Sequence, residues 1–376
     1  MVGAGFSSGR EIALFFGDSK PIAVALSSIF MALFALLFLT AGKYRLIPNG
    51  IVVRIAIFFS ASISLIAMLA GGEYILRTMT GVPLLALIMA ILAVFVVSQG
   101  IEKIKVANLI LVPLIVLSIA LIFFQIPRQS SGASFNILKP IMYSGLDVLL
   151  GGIVVSKEGE EMNFKEILCS CFVVAVFLFG MLYMLQTIVL ADTNGSLMPV
   201  FAISKGLNLQ AICGVLIASA IFTTLVSSLK IVSDSALCLC TKISKLNTLA
   251  SHENKPIIVM FCLLVFYPLS FFGFGKIVGS LYPVNSVLGV TLAAVVLTKL
   301  IAYCIVNLHG KIRSNRKNNA QKSSAKRQSH KVKCDERQSI VSSASSPSSS
   351  SSSLSFQMSS NGERRESSSS SSSPLR

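Results

Sequence analysis

Three short stretches of this 376-residue chain carry residue types at spacings that could do chemistry. The first is "GAGFSSG", Gly3–Gly9, with three glycines and two serines in seven residues. Glycines so placed either cradle a pyrophosphate or break a membrane helix so that its backbone can hold a small ion or solute. The second is "YSGLD", Tyr143–Asp147, which sets a carboxylate inside an apolar run, where a charge is costly and is by default a candidate for function. The third is "AIFTT", Ala220–Thr224, in which Thr223 and Thr224 follow Ala220 with A-x-x-[ST]-[ST] spacing. Adjacent hydroxyls and an upstream carbonyl can supply oxygen ligands to a small cation. All of this is binding chemistry. With no nucleophile–base set, metal cluster or phosphate loop in the sequence, neither an enzyme nor an ATP-driven pump is expected, and no cofactor is called for beyond a coupling ion.

Each stretch has a plainer reading. A dinucleotide fingerprint needs a strand before its first glycine, and only Met1 and Val2 precede Gly3, so the nucleotide reading fails on context. Glycines at this density also suit a helix-packing surface. Asp147 could serve as a structural hydrogen-bond partner for a neighbouring helix. Thr and Ser are common at membrane helix contacts, so the Ala220–Thr224 spacing alone is a weak signal.

The elements that must position these residues are membrane helices. The chain is 53% hydrophobic and 13% charged, with a mean hydropathy of +0.77. A soluble domain carries about 25% charged residues. Apolar segments run approximately over Pro21–Ala41, Ile51–Gly71, Gly81–Ser98, Val106–Phe124, Pro140–Ser156, Ile167–Ala191, Leu207–Ser228, Pro256–Phe272 and Pro283–Val306, with a fragment Ile12–Phe16 ahead of them. Runs near 20 residues match the length that crosses about 30 Å of hydrocarbon. The first full segment is too long for the core of a secretory signal and is followed by further spans. The fold class expected is all-α and polytopic. With the N-terminus inside, the inner loops carry ten Lys/Arg and the outer ones six, which predicts both termini in the cytoplasm of a cell with a plasma (cell) membrane.

Charge and cysteines exclude other classes. The net charge is +16, but residues 311–376 hold thirteen Lys/Arg against four Asp/Glu, so +9 belongs to the C-terminal segment. A nucleic-acid-binding fold is therefore not indicated. Residues 309–376, basic and then serine-rich, read as a disordered cytoplasmic tail separate from a membrane domain over 1–308. Its basic part either lies against anionic lipid headgroups or is simply solvated. Eight cysteines form no CxxC pair and read as small apolar packing residues rather than a zinc site. His252, His309 and His330 all lie outside the apolar segments, which excludes an intramembrane histidine relay.

If the chain is an inverted repeat, a second interruption belongs five spans after the first. There the sequence reads "KPIMYSGLDVLLGGIVVSKEG", with Tyr143, Ser144 and Gly145 ahead of Asp147. With "GAGFSSGREIALFF" at the start and "FGFGKIVGSLYPVNSVLG" at Phe272–Gly289, the chain resembles the YkvI-like bacterial membrane proteins of the amino acid–polyamine–organocation (APC) superfamily, which share the LeuT-type fold. The likeness covers about residues 2–306. It implies a 5+5 inverted repeat of about ten transmembrane helices, the first incomplete, with solute held between the broken first and sixth helices. It would place Gly3, Ala4, Gly5 and Phe6 at the first break and Tyr143, Ser144 and Gly145 at the second. It would place Ala220, Thr223 and Thr224 at a Na+ site. Relatives often carry an amide near Asp147; a carboxylate there favours proton coupling or a cationic solute and leaves Na+ against H+ open. Relatives also have about half a helix ahead of the glycine motif, so a start further upstream is expected.

The function expected from this resemblance is secondary transport of a small solute, an amino acid or related zwitterion, coupled to Na+ or H+. A nutrient-sensing receptor subunit and a non-transporting structural subunit are the alternatives.

Overall fold

A computed structural model describes residues 4–48, 50–99, 102–127, 134–240 and 255–307. Contacts divide the chain into Met1–Val306 and Asn307–Arg376. The tail expected over 309–376, with its lipid-headgroup contact, lies outside the described residues, as does Gly3.

Among the described residues the fold is helix throughout, with one isolated bridge between Ser19 and Ser134. The helices are α1 (Ala4–Ser8), α2 (Arg10–Phe16), α3 (Pro21–Lys43), α4 (Ile51–Thr80), α5 (Leu85–Gln99), α6 (Glu102–Gln125), α7 (Leu138–Asp147), α8 (Ile153–Gly159), α9 (Phe164–Ala191), α10 (Pro199–Gly206), α11 (Gln210–Cys240), α12 (Lys255–Phe266) and α13 (Phe274–Asn307). Six of them are long and apolar enough to cross a bilayer: α3, α4, α6 over Val106–Gln125, α9, α11 over Gln210–Cys238, and α13. Their outer faces carry large apolar side chains in the open, such as Val52, Leu109, Phe124, Phe172 and Val306. In a chain this poor in charge, such a surface faces lipid. The protein is an all-α polytopic membrane protein.

Local chemistry sets the helix ends. Pro21 and Pro199 open α3 and α10, where a missing N–H costs nothing. Gly81, with φ 75°, closes α4 in a conformation that a side chain disfavours. The Glu73 carboxylate of α4 then accepts hydrogen bonds from the Leu84 and Ala86 amides at 2.8 and 3.3 Å. These are open N–H groups at the start of α5, so this intramembrane carboxylate has a structural task. Asn163 N donates to the Glu166 carboxylate at 2.8 Å and starts α9. Arg54, near the start of α4, donates to Cys238 Sγ near the end of α11.

The most extensive helix contacts are α4 with α11 and α3 with α9, and α3 also packs along α7 and α8. Without a hydrophobic effect between helices in lipid, small residues that let backbones approach are what hold such pairs. A Cβ added at Gly42 on α3 would fall 1.8 Å from the Ser156 carbonyl oxygen of α8, and one at Gly159 on α8 would fall 2.2 Å from the Leu39 carbonyl oxygen. The crossing of α7 and α13 is equally close: a Cβ at Gly289 would lie 1.8 Å from the Gly145 carbonyl oxygen. Gly71 and Gly72 of α4 make room for side chains, since an added Cβ would lie 3.2 Å from the Phe274 ring and 2.2 Å from the Met89 methyl group, while Ser228 Oγ donates to Ser64 Oγ across the α4–α11 interface at 3.0 Å.

These contacts predict opposite outcomes for two kinds of glycine. Gly42→Ala and Gly159→Ala force backbone apart and should lower stability by about 1–3 kcal/mol. Gly180→Ala on α9 meets nothing within 4 Å and should be neutral or stabilising, by up to about 1 kcal/mol. Thermal unfolding of the purified variants in detergent checks the order; equal losses at all three positions would contradict the packing described.

Candidate functional site: a cavity with two carboxylates

The first helical pair, α1 and α2, is joined by one residue, Gly9, held left-handed at φ 74° and buried under Val200 of α10. The chain kinks there but stays hydrogen-bonded. Gly9 N donates to the Gly5 carbonyl at 3.1 Å and Ala13 N donates to the Gly9 carbonyl at 3.0 Å. Ser8 Oγ donates to the same Gly5 carbonyl at 3.2 Å and accepts from Arg10 N at 3.3 Å. Over the described part of the Gly3–Gly9 stretch, from Ala4 on, the bare, unwound backbone expected is a single-residue kink at Gly9, and its polar groups are partly met by Ser8.

The far end of α2 is fixed on three sides. Gln186 of α9 donates to the Ser19 carbonyl at 2.7 Å and the Phe16 carbonyl at 3.4 Å. Ser134 pairs with the backbone on either side of Ser19, through Lys20 N at 3.0 Å and the Asp18 carbonyl at 3.2 Å. Tyr143 of α7 lies edge-on to Phe15 and Phe16, with ring centroids 5.5 and 5.1 Å away. Its hydroxyl is buried with no hydrogen-bond partner among the described residues.

The interruption expected at Tyr143–Gly145 is not at those residues. All three are buried in the continuous helix α7. Ser144 Oγ donates to the Pro140 carbonyl at 2.8 Å and is 3.3 Å from the Ser27 carbonyl of α3, while Gly145 packs against Ser286 and Val290 of α13. The departure from α-helix comes three residues later, in a π-helical turn at Val148–Gly152 that leads into α8. One extra residue per turn widens the helix at this point. The serine and glycine that drew attention to the segment make helix contacts; the widening falls on "VLLGG".

Between these two irregular elements lies a cavity of about 460 Å³. Gly5, Phe6 and Glu11 line it from α1 and α2; Leu146, Asp147, Gly151 and Val154 from the second element; Ala220, Thr223, Thr224 and Ser227 from α11. Ser64 of α4, Asn108 and Ile115 of α6, and Tyr282 and Asn285 of α13 complete the wall. Ser64 and Thr224 stand close to the midpoints of their 30- and 31-residue helices, so the cavity sits deep in the bundle. Of the residues singled out from sequence, Gly5, Phe6, Asp147, Ala220, Thr223 and Thr224 meet here; Tyr143, Ser144 and Gly145 do not. Ala4 starts α1, and nothing further is described of it.

Glu11 and Asn285 are the residues that sequence reasoning missed. Glu11 reaches back across the kink: a Cβ on Gly5 would lie 1.8 Å from its carboxyl carbon. Gly5 is therefore the space that the Glu11 head group fills. The signal was present, since Glu11 borders an apolar stretch, but it read as the polar flank of that stretch. Neither Glu11 nor Asp147 receives a hydrogen bond or lies within ion-pair distance of a basic side chain among the described residues, in contrast to Glu73. Thr223 Oγ1 donates to the Ala220 carbonyl at 3.1 Å, and the Thr224 hydroxyl is unengaged among the described residues. No group of three or more metal-ligating His, Cys, Asp or Glu side chains occurs among the described residues.

No family model matches the chain. It is 25% identical over 323 residues to a Bacillus subtilis (strain 168) protein described as "Uncharacterized protein YyaD", a match spanning 78% of this chain and 91% of that one.

The contact between Gly5 and Glu11 makes a prediction that needs no assay of function. Gly5→Ala should lower stability by about 1–3 kcal/mol through overlap with the carboxyl group. Combined with Glu11→Ala, which removes that group, the loss should shrink. A double-mutant cycle of melting temperatures measures the coupling; strictly additive changes would mean the two residues do not touch.

Proposed function

We propose that the chain is a secondary transporter of a small solute, coupled to Na+ or H+, with a LeuT-type 5+5 arrangement in a plasma membrane and both termini cytoplasmic. The observation that carries this reading is the cavity at mid-helix depth between two interrupted elements, α1–α2 and α7–α8, five spans apart. Irregular backbone at such depth is tolerated where it is packed in protein or borders a wet cavity. Transporters place solute and ion at such breaks because the interrupted helices can also move. The helix pairing supports the reading further. The second span, α3, packs on both the sixth (α7 and α8) and the seventh (α9), and the third, α4, packs most on the eighth, α11; the second–seventh and third–eighth pairs are those that a two-fold relation between two five-span halves would bring together.

Thr223, Thr224 and the Ala220 carbonyl supply oxygens beside the cavity for a coupling cation, and Asp147 is a second position where a proton could travel. Counterflow in proteoliposomes tests the proposal, with labelled solutes inside and Na+ and pH gradients imposed separately. Saturable exchange that responds to one of the two gradients is expected. Thr223→Ala with Thr224→Ala should abolish a Na+ response, and Asp147→Asn a pH response. Exchange that is unsaturable and blind to both gradients would remove the transport reading.

A further inference from the structure

We propose that the cavity takes an organic ammonium solute, an amine with no carboxylate of its own, rather than a zwitterionic amino acid. This rests on the transport reading above and narrows its substrate class. Among the described residues, the charged side chains of the wall are Glu11 and Asp147, and no Lys, Arg or His lines it. A buried carboxyl group with no basic side chain beside it is costly to ionise in a membrane protein, and an occupant carrying positive charge lowers that cost.

The uncharged part of the wall points the same way. Asn285 is 5% exposed, and its buried Oδ1 has no hydrogen-bond partner among the described residues. A buried acceptor left open asks for a donor. Part of the hydroxyl set has spent its protons within the bundle: Thr223 donates to the Ala220 carbonyl, Ser227 to the Thr223 carbonyl at 2.9 Å and Ser228 to Ser64 Oγ. The two carboxyl groups and the Asn285 oxygen present acceptors to a ligand, and an ammonium group brings three donors and a charge. A solute carboxylate would need the opposite. At the break, the Arg10 amide is already taken by Ser8, and the Arg10 side chain lines a separate space of about 10 Å³ that Glu11 also borders, outside the cavity wall. Two carboxyl groups in one cavity also match two positive charges, one on the solute and one on the coupling ion. The volume of about 460 Å³ is that of about 15 waters, room for a solute of several carbons and beyond the need of a bare ion.

The test uses the full chain in lipid nanodiscs, with binding read by calorimetry and by melting temperature. The probes are n-butylammonium, alanine, butyrate and NaCl. Butylammonium should bind saturably and raise the melting temperature, with at least tenfold weaker binding in Glu11→Gln, Asp147→Asn and Asn285→Ala; alanine and butyrate should not compete. Leu109→Ala, on the lipid-facing surface, should bind as the parent does. The unliganded melting temperature of each variant identifies any that fail to fold, and competition by alanine against the parent protein still decides the question if one does. Alanine binding as tightly as the amine, or unaffected by Glu11→Gln, would overturn the inference and leave the transport reading standing. NaCl reproducing the whole shift with nothing added by the amine would overturn it too. If no probe binds and counterflow is absent, the transport reading fails with it.

Discussion

Two carboxyl groups open to one cavity, with no basic side chain among the described residues lining it, are the constraint around which this structure is arranged. Carboxylates at membrane depth are scarce in this chain, and the contrast with Glu73 shows what a purely structural one does. That residue caps the open amides of α5 and is satisfied. Glu11 and Asp147 have no such task among the described residues. The chain nonetheless gives up regular helix beside both of them. Gly9 kinks the backbone two residues before Glu11, and the π-helical turn begins one residue after Asp147. Irregular backbone placed next to buried carboxyl groups is expected where a ligand completes the arrangement.

The rest of the fold makes that cavity possible by close backbone packing elsewhere. Gly42 and Gly159 seat α8 on α3, Gly145 and Gly289 seat α7 on α13, and Gly71 and Gly72 make room on α4 for Phe274 of α13 and Met89 of α5. With those crossings fixed, α7 and α8 are held on both sides of a widened turn, and the wall residues of α4 and α11 face inward at mid-helix. Gln186 and Ser134 pin the end of α2, and Tyr143 wedges between its two phenylalanines. The cavity is thus bounded by elements tied down at their ends and irregular at their centres, which is the mechanical condition for a helix to bend about a fixed point.

Much of this was legible in the sequence. Segment positions followed from hydropathy, because bilayer thickness sets helix length and composition follows it directly. Asp147 and the Ala220–Thr224 spacing could be singled out for the same reason: polar groups in an apolar run are rare enough to stand out. Tyr143–Gly145 misled because glycine serves two ends that the sequence does not separate. It weakens a helix, and it lets two helices touch, and only the Gly145–Gly289 contact shows which applies. The π-helical turn has no composition of its own and could not be placed from "VLLGG". Glu11 was overlooked because a polar residue at the edge of an apolar stretch usually faces water; that it folds inward depends on the empty side of Gly5, a contact across a kink. Asn285 lies eleven residues after the start of α13, where one amide among apolar neighbours has no spacing signature.

The most direct test of the central claim is the electrostatics of the cavity in the membrane-embedded protein. In a background with the 8 native cysteines replaced, single cysteines would be placed at Thr224 in the wall and at Leu109 on the lipid-facing surface. Each would be reacted with methanethiosulfonate reagents of similar size bearing either an ammonium or a sulfonate group. The account predicts that Thr224→Cys reacts at least tenfold faster with the ammonium reagent, that Glu11→Gln together with Asp147→Asn abolishes the preference, and that Leu109→Cys reacts with neither. Equal rates for the two reagents at Thr224→Cys, or no reaction there at all, would contradict it.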